Sequence, residues 1–292
     1  MQGVIAAVPT PIATGGEPIR DLFIAHCRWA LENGCDGLNV LGSTGEANSF
    51  AASARKTVMA WAAEDLDRSR LMVGTGTPSL AETIDLTETA DDLGYGVALV
   101  LPPYYYKPAS EDGLFAWYAS LHEALGDRPI AVYFYNFPQM TGINLSVALI
   151  ERLNGMWPDR FRGIKDSSGD LSYCRELTSR LPDLKVFPSS EVALGEAAAS
   201  GFAGCISATV NEAPHLSAQL WESRAEPDPA LVGKIADIRA AVSAQPLIPA
   251  VKFLVSRRTV ETQWRRVLPP FCELDDAQHT VLSEAIEKLE AL

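Results

Sequence analysis

Short apolar runs and helical stretches alternate eight times along the first three quarters of this chain, and few folds accommodate that pattern. The runs fall at 3–8, 37–41, 71–74, 97–101, 130–135, 161–165, 184–187 and 202–206. The helical stretches between and after them fall at 20–33, 53–66, 80–93, 111–125, 146–153, 171–181, 191–199 and 213–221. The first of these shows the spacing: Leu22, Phe23, Cys27, Ala30 and Leu31 share a face, and the stretch stops near Gly34. Eight strand–helix units with no break in composition predict an α/β protein, a single (β/α)8 TIM barrel over 1–224. An open doubly wound sheet is the competing arrangement, but no glycine-rich phosphate fingerprint follows the first strand. After Glu226-Pro227-Asp228-Pro229 the alternation ends. Helical stretches at 230–244, 249–258 and 276–289 predict a C-terminal helical extension over 225–292, packed on the barrel. The double proline at 269–270 makes 260–270 irregular.

Composition narrows the partners. With 24 basic residues against 37 acidic the chain carries a net charge of −13, and no basic stretch stands out. That argues against nucleic acid and against an anionic membrane surface. An anionic small molecule would have to be held by local dipoles. Cys27, Cys35, Cys174, Cys205 and Cys272 are scattered without a CxxC pair, which predicts reduced thiols in a cytoplasmic protein. His26, His122, His215 and His279 lack the pairwise spacing of metal ligands, so no metal is expected. Residues 1–9 lack a basic start and run straight into a strand, so neither a signal peptide nor a membrane span is expected there.

Active sites of such barrels lie at the C-terminal ends of the strands. Phe161-Arg162-Gly163-Ile164-Lys165 delivers one lysine to a strand end, and Asp166-Ser167-Ser168-Gly169-Asp170 supplies turn and N-cap chemistry for the next helix. That lysine is either a solvated residue just past its strand or an amine held in a pocket. In a pocket, a lysine readily becomes a nucleophile toward a carbonyl. Gly42-Ser43-Thr44-Gly45-Glu46 follows the second strand. It reads as an ordinary turn, or as a backbone concavity that binds a carboxylate with a hydroxyl for proton relay. Tyr135 ends the fifth strand, next to the lysine strand, and is a core aromatic or a proton shuttle. Tyr104-Tyr105-Tyr106 after the fourth strand suits a pocket wall or a subunit contact. Ser189-Ser190-Glu191 and Ser207-Ala208-Thr209 follow the seventh and eighth strands and are either turns or partners for polyol hydroxyls.

Taken together, these residues resemble the pyruvate-dependent Schiff-base lyases of the dihydrodipicolinate synthase / N-acetylneuraminate lyase family. The resemblance covers nearly the whole chain. Its marks are Gly42-Ser43-Thr44-Gly45-Glu46, Tyr135-Asn136-Phe137-Pro138 with Thr141-Gly142, and Gly163-Ile164-Lys165-Asp166. The resemblance implies Lys165 as the Schiff-base lysine, Tyr135 as the proton-shuttling tyrosine and Ser43 as the hydroxyl that links Tyr135 into a relay. It implies that Ser43 and Thr44, in the loop closed by Gly45, grip the pyruvate carboxylate. It also implies that Ile206 lies beside the Schiff base and that Tyr105 crosses a dimer interface in a homotetramer built as a dimer of dimers. The mechanism implied needs no cofactor.

Departures bear on the substrate. Dihydrodipicolinate synthases usually carry an arginine where this chain has Met140, and losing that fork removes a carboxylate partner. Neuraminate lyases have a serine where this chain has Ala208 and an aspartate where it has Glu191. The 136–142 and 165–170 runs look most like 2-keto-3-deoxy sugar acid aldolases and related 4-hydroxy-2-oxo acid lyases. The expectation is therefore cleavage or formation of a C–C bond between pyruvate and an aldehyde. The alternatives are 4-hydroxy-tetrahydrodipicolinate synthesis, dehydration of a 2-oxo acid, and a ligand-binding barrel without turnover.

Overall fold

The computed structural model describes residues 1–291 and contains eight parallel strands among them: β1 (Gly3–Ala7), β2 (Gly37–Val40), β3 (Leu71–Gly74), β4 (Val97–Val100), β5 (Ala131–Asn136), β6 (Phe161–Asp166), β7 (Lys185–Pro188) and β8 (Gly204–Ser207). They pair in the order β7-β6-β5-β4-β3-β2-β1-β8. At the remaining seam, Ala203 N–H donates to Val186 O at 2.9 Å, between the start of β8 and β7. The result is a nearly closed TIM barrel with helices outside it, as the alternation predicts. Most boundaries fall within a residue or two of those read from sequence. The largest difference is at 191–199, where a 3-10 helix (Glu191–Glu196) runs into a single α turn (Ala197–Ser200). Gly195 and Ser190, which offers no side-chain cap, leave that stretch little to hold a regular helix start. Within 260–270, which reads as irregular, Thr262–Arg265 forms a 3-10 helix.

Both faces of the strands are buried, which is why they read as apolar runs rather than alternating ones. Ile5, Met72, Leu99, Tyr133, Phe187 and Ile206 fill the barrel interior. Val4, Leu38, Val73, Ala98, Ile164 and Val186 face the surrounding helices. Gly163 has no side chain because the Tyr133 ring occupies its place; a Cβ there would lie 2.7 Å from Cε2 of that ring. Side-chain caps start the helices: Ser110 accepts from Gly113 N, Ser146 from Leu149 N, and Asp275 with Gln278 forms a capping box.

Three helices, Pro229–Ser243, Leu247–Thr259 and Asp276–Glu290, follow the barrel. They pack through an apolar cluster that includes Ile238, Val251, Leu254, Leu282 and the barrel's Ala208, and the second of them adds specific polar contacts. His26 is 2% exposed, and its Nδ1 faces Arg258 Nη2 at 2.9 Å. A guanidinium can only donate, so Nδ1 accepts and Nε2–H donates to Asn211 Oδ1 at 2.8 Å. Asn211 Nδ2 in turn donates to Ala7 O and Ala208 O, both at 2.8 Å. Burial, followed by the Arg258 charge, pushes the His26 imidazole down to about 3, so it stays neutral. No single helix among the described residues is long and apolar enough to cross a membrane.

Candidate active site

Lys165 and Tyr135 are direct partners in the β5–β6 register. Both point into the barrel near its C-terminal rim, and they are 4% and 3% exposed. The Lys165 amine donates to Tyr135 Oη at 3.0 Å and lies 4.3 Å from the centroid of the same ring. Ser43 Oγ lies 3.3 Å from Tyr135 Oη on the other side. An amine, a phenol and a hydroxyl therefore form one chain of proton-transfer distances. Burial alone would push the Tyr135 phenol up. The Lys165 charge and the hydrogen bonds from Ser43, Lys165 and Ser167 outweigh it and hold the phenol below the ordinary tyrosine value.

Asp166, next along β6, points to the opposite face, as strand alternation requires. It accepts from Asn136 Nδ2 at 2.8 Å and from Ser168 Oγ at 2.8 Å, which shapes the turn. Gly169 (φ +84°) completes that turn, and Asp170 caps the helix Leu171–Arg180. Lys165 is thus held at the strand end without a carboxylate among its hydrogen-bond or ion-pair partners in the described residues.

The loop after β2 is tightly wound by its own hydrogen bonds. Gly45 N and Ala47 N donate back to Gly42 O, and Glu46 N donates to Ser43 O. Thr10 Oγ1 donates to Gly45 O at 2.9 Å. Leu41 (φ +53°) and Glu46 (φ +55°) adopt left-handed backbone at either end. Such conformations cost non-glycine residues about 1–2 kcal/mol each and tend to gather where a loop binds something. Among the described residues, the Ser43 and Thr44 N–H groups have no protein acceptor, so both remain available to a carboxylate.

The two residues line a cavity of about 420 Å³ together with Tyr135, Lys165, Ile206 and Ala208. Phe137, Met140, Ser167 and Ser189 also line it, and Pro246, Leu247, Ile248 and Phe271 roof it from the C-terminal helices. Of the residues singled out from sequence, Gly45 is buried beneath the loop. Tyr105 is 72% exposed, outside the cavity, with its ring edge-on to Tyr106 at 5.1 Å. Met140 is 63% exposed at the cavity rim.

Glu191 is 2% exposed and does not line the cavity. Its carboxylate accepts from Ser207 Oγ at 2.6 Å and Thr209 Oγ1 at 2.5 Å, and it pairs with Arg239 Nη1 at 3.0 Å. Sequence reading missed Arg239. It lies on the helix Pro229–Ser243, and all three of its hydrogen bonds use Nη1. Arg239 borders the cavity and an adjoining groove of about 610 Å³, which shares Ser167 and Ser189 with it. No group of three or more His, Cys, Asp or Glu side chains suited to a metal occurs among the described residues.

A model of the dihydrodipicolinate synthetase family matches residues 1–289. The 4-hydroxy-tetrahydrodipicolinate synthase of Rhodospirillum centenum is 35% identical over 242 residues, which cover 81% of this chain and 80% of that one. The crystal structure of dihydrodipicolinate synthase from Agrobacterium tumefaciens superposes with a TM-score of 0.92 at 32% identity and covers 99% of each chain. YagE from E. coli, a prophage protein of the dihydrodipicolinic acid synthase family solved with pyruvate, superposes with a TM-score of 0.90 at 26% identity, covering 100% of this chain and 99% of its own.

Proposed function

Because the chain belongs to the dihydrodipicolinate synthetase family, whose members are lyases and aldolases acting on small molecules such as pyruvate, we propose that it is a class I aldolase. Its substrate would be a 2-keto-3-deoxy sugar acid or a related 4-hydroxy-2-oxo acid. The observation that carries this reading is the position of Tyr135 Oη between Lys165 Nζ at 3.0 Å and Ser43 Oγ at 3.3 Å.

In this scheme the Ser43 and Thr44 N–H groups hold the substrate carboxylate. The Lys165 amine adds to the C2 ketone, and Tyr135 delivers the proton that turns the carbinolamine hydroxyl into leaving water. The resulting iminium accepts the electron pair of the C3–C4 bond as that bond breaks, while the C4 hydroxyl gives up its proton and leaves as an aldehyde. Protonation at C3 and hydrolysis of the iminium release pyruvate and restore the amine. The Ser43–Tyr135 pair moves each proton over one hydrogen bond. No metal or organic cofactor enters, because the iminium is the electron sink.

The aldehyde half would lie toward Arg239, Ser167 and Ser189. A guanidinium anchored through Nη1 on a residue that lines the cavity suits a carboxylate or phosphate at the far end of the substrate. The activity named for the Rhodospirillum relative, 4-hydroxy-tetrahydrodipicolinate synthesis, is the second reading, favoured by that 35% identity. Against it, the rim residue Met140 offers no cation there, so a second carboxylate would have to reach Arg239 instead. Incubation with pyruvate plus aspartate semialdehyde, and separately with 2-keto-3-deoxy sugar acids, distinguishes the two by product mass. Cleavage of the sugar acids to pyruvate supports the first reading, and condensation alone supports the second.

The exposed Tyr105 and Tyr106, at 72% and 83%, support burial of this loop by a second copy in a homotetramer. Sedimentation of the native chain as a monomer would contradict that.

A further inference from the structure

Glu46 and Lys252 form an ion pair at 2.5 Å in which both side chains are 0% exposed. Removing two charges from water costs several kcal/mol per ion, and an apolar pair of similar volume is often as stable. Stability therefore gives a weak account of the pair, and its location suggests a better one. Glu46 is two residues past Thr44 and closes the anion-binding loop in left-handed backbone. Its second oxygen accepts from Leu268 N–H at 2.6 Å, three residues before Phe271 in the cavity roof. Lys252 lies one helical turn beyond Ile248, which lines the same cavity.

A buried carboxylate on the same loop, two residues from Thr44, would repel a substrate carboxylate through a low-dielectric medium unless it were neutralised. Among the described residues, Lys252 is the one cation in contact with it. We propose that Lys252 is a positioning residue that neutralises Glu46 and so makes the grip competent for an anionic substrate, and that the C-terminal helices thereby set affinity for the 2-oxo acid carboxylate. The pair acts on binding and leaves the amine chemistry at Lys165 alone. This inference rests on the Schiff-base reading above.

Charge logic makes one single substitution weaken binding and the other spare it, which a merely structural pair would not. Lys252→Met leaves an uncompensated carboxylate on the grip loop. The pyruvate concentration giving half-maximal borohydride-trapped adduct should rise tenfold or more, while the trapping rate at saturation stays within threefold. Glu46→Gln keeps the Leu268 contact and removes the anion, and burial then favours the neutral amine at Lys252, so half-saturation should stay level. The double variant Glu46→Gln/Lys252→Met should return to within threefold of native. Lys252→Arg should preserve native half-saturation.

If Lys252→Met fails to fold, Glu46→Gln and the neutral double variant still decide the matter. A tenfold weakening in either overturns the proposal. Unchanged half-saturation in a folded Lys252→Met, or loss confined to the rate at saturation, overturns it too. No adduct in the native chain would overturn the Schiff-base reading itself and this inference with it. An adduct in the native chain separates the two failures.

Discussion

Tyr135 and Lys165 occupy facing positions on neighbouring parallel strands, and the register alone brings the phenol to 3.0 Å from the amine. Neither side chain reaches across a loop to make this contact. The placement of both side chains is therefore set by backbone hydrogen bonds and by the burial of the strands, so the strand register should survive conservative substitution at either position.

Tyr135→Phe should keep the fold, because the ring stays in the barrel interior and stacks on Phe137 at 5.7 Å. Removing the hydroxyl breaks the proton path, and turnover should fall by about 10²–10⁴-fold. Steady-state kinetics alongside circular dichroism checks this. A variant with native turnover would show that the proton travels by another route. The phenol must be protonated to donate, and its value lies below the ordinary tyrosine 10. The native pH–rate profile should therefore fall on the alkaline side before pH 10.

Arg239→Gln should discriminate between substrates. Trapping of pyruvate on Lys165 should stay near native, because Arg239 is not among the hydrogen-bond partners of Lys165, Tyr135 or Ser43. Losing a charge-assisted contact of about 1.5–3 kcal/mol should cost roughly 10–100-fold in kcat/KM for substrates with a distal carboxylate or phosphate. Uncharged analogues should change little. Equal losses for charged and uncharged substrates would assign Arg239 to structure alone, as the partner of Glu191.

Much of this arrangement was legible in sequence, and the reasons are local. Lys165 follows Phe161 and Ile164 in a run bound for burial and precedes a glycine-containing turn, so its place at a strand end could be read directly. Ser43 and Tyr135 could be placed for the same reason. What escaped was long-range pairing. Glu46 meets Lys252 206 residues later, and His26 meets Arg258 232 residues later, without any periodic signal. Glu191 read as a residue near the substrate, but Ser207, Thr209 and Arg239 consume its carboxylate. Arg239 lies on a helix whose apolar residues identify the helix and say nothing of where the guanidinium points. One clue was available: a carboxylate three residues past a barrel strand, once buried, needs a cation, and the C-terminal helices supply one.

His26 gives the fold an acid limit. Its folded value is depressed from 6.5 to about 3, so the contribution is fully present above 6.5 and is lost as pH falls toward 3. At about 1.4 kcal/mol per unit, the loss is on the order of 5 kcal/mol by pH 3. The melting temperature of the native chain should fall more steeply between pH 6.5 and pH 4 than that of His26→Gln. Parallel curves would contradict the assignment of a buried neutral imidazole.

Lys165 is the residue on which the whole account depends. The most direct test incubates the native chain with pyruvate and borohydride, digests it and locates the added mass. The account predicts a single reduced adduct on Lys165, absent in Lys165→Ala, which should also lose turnover while remaining folded. An unmodified Lys165 in a folded native chain, or turnover retained by Lys165→Ala, would contradict it.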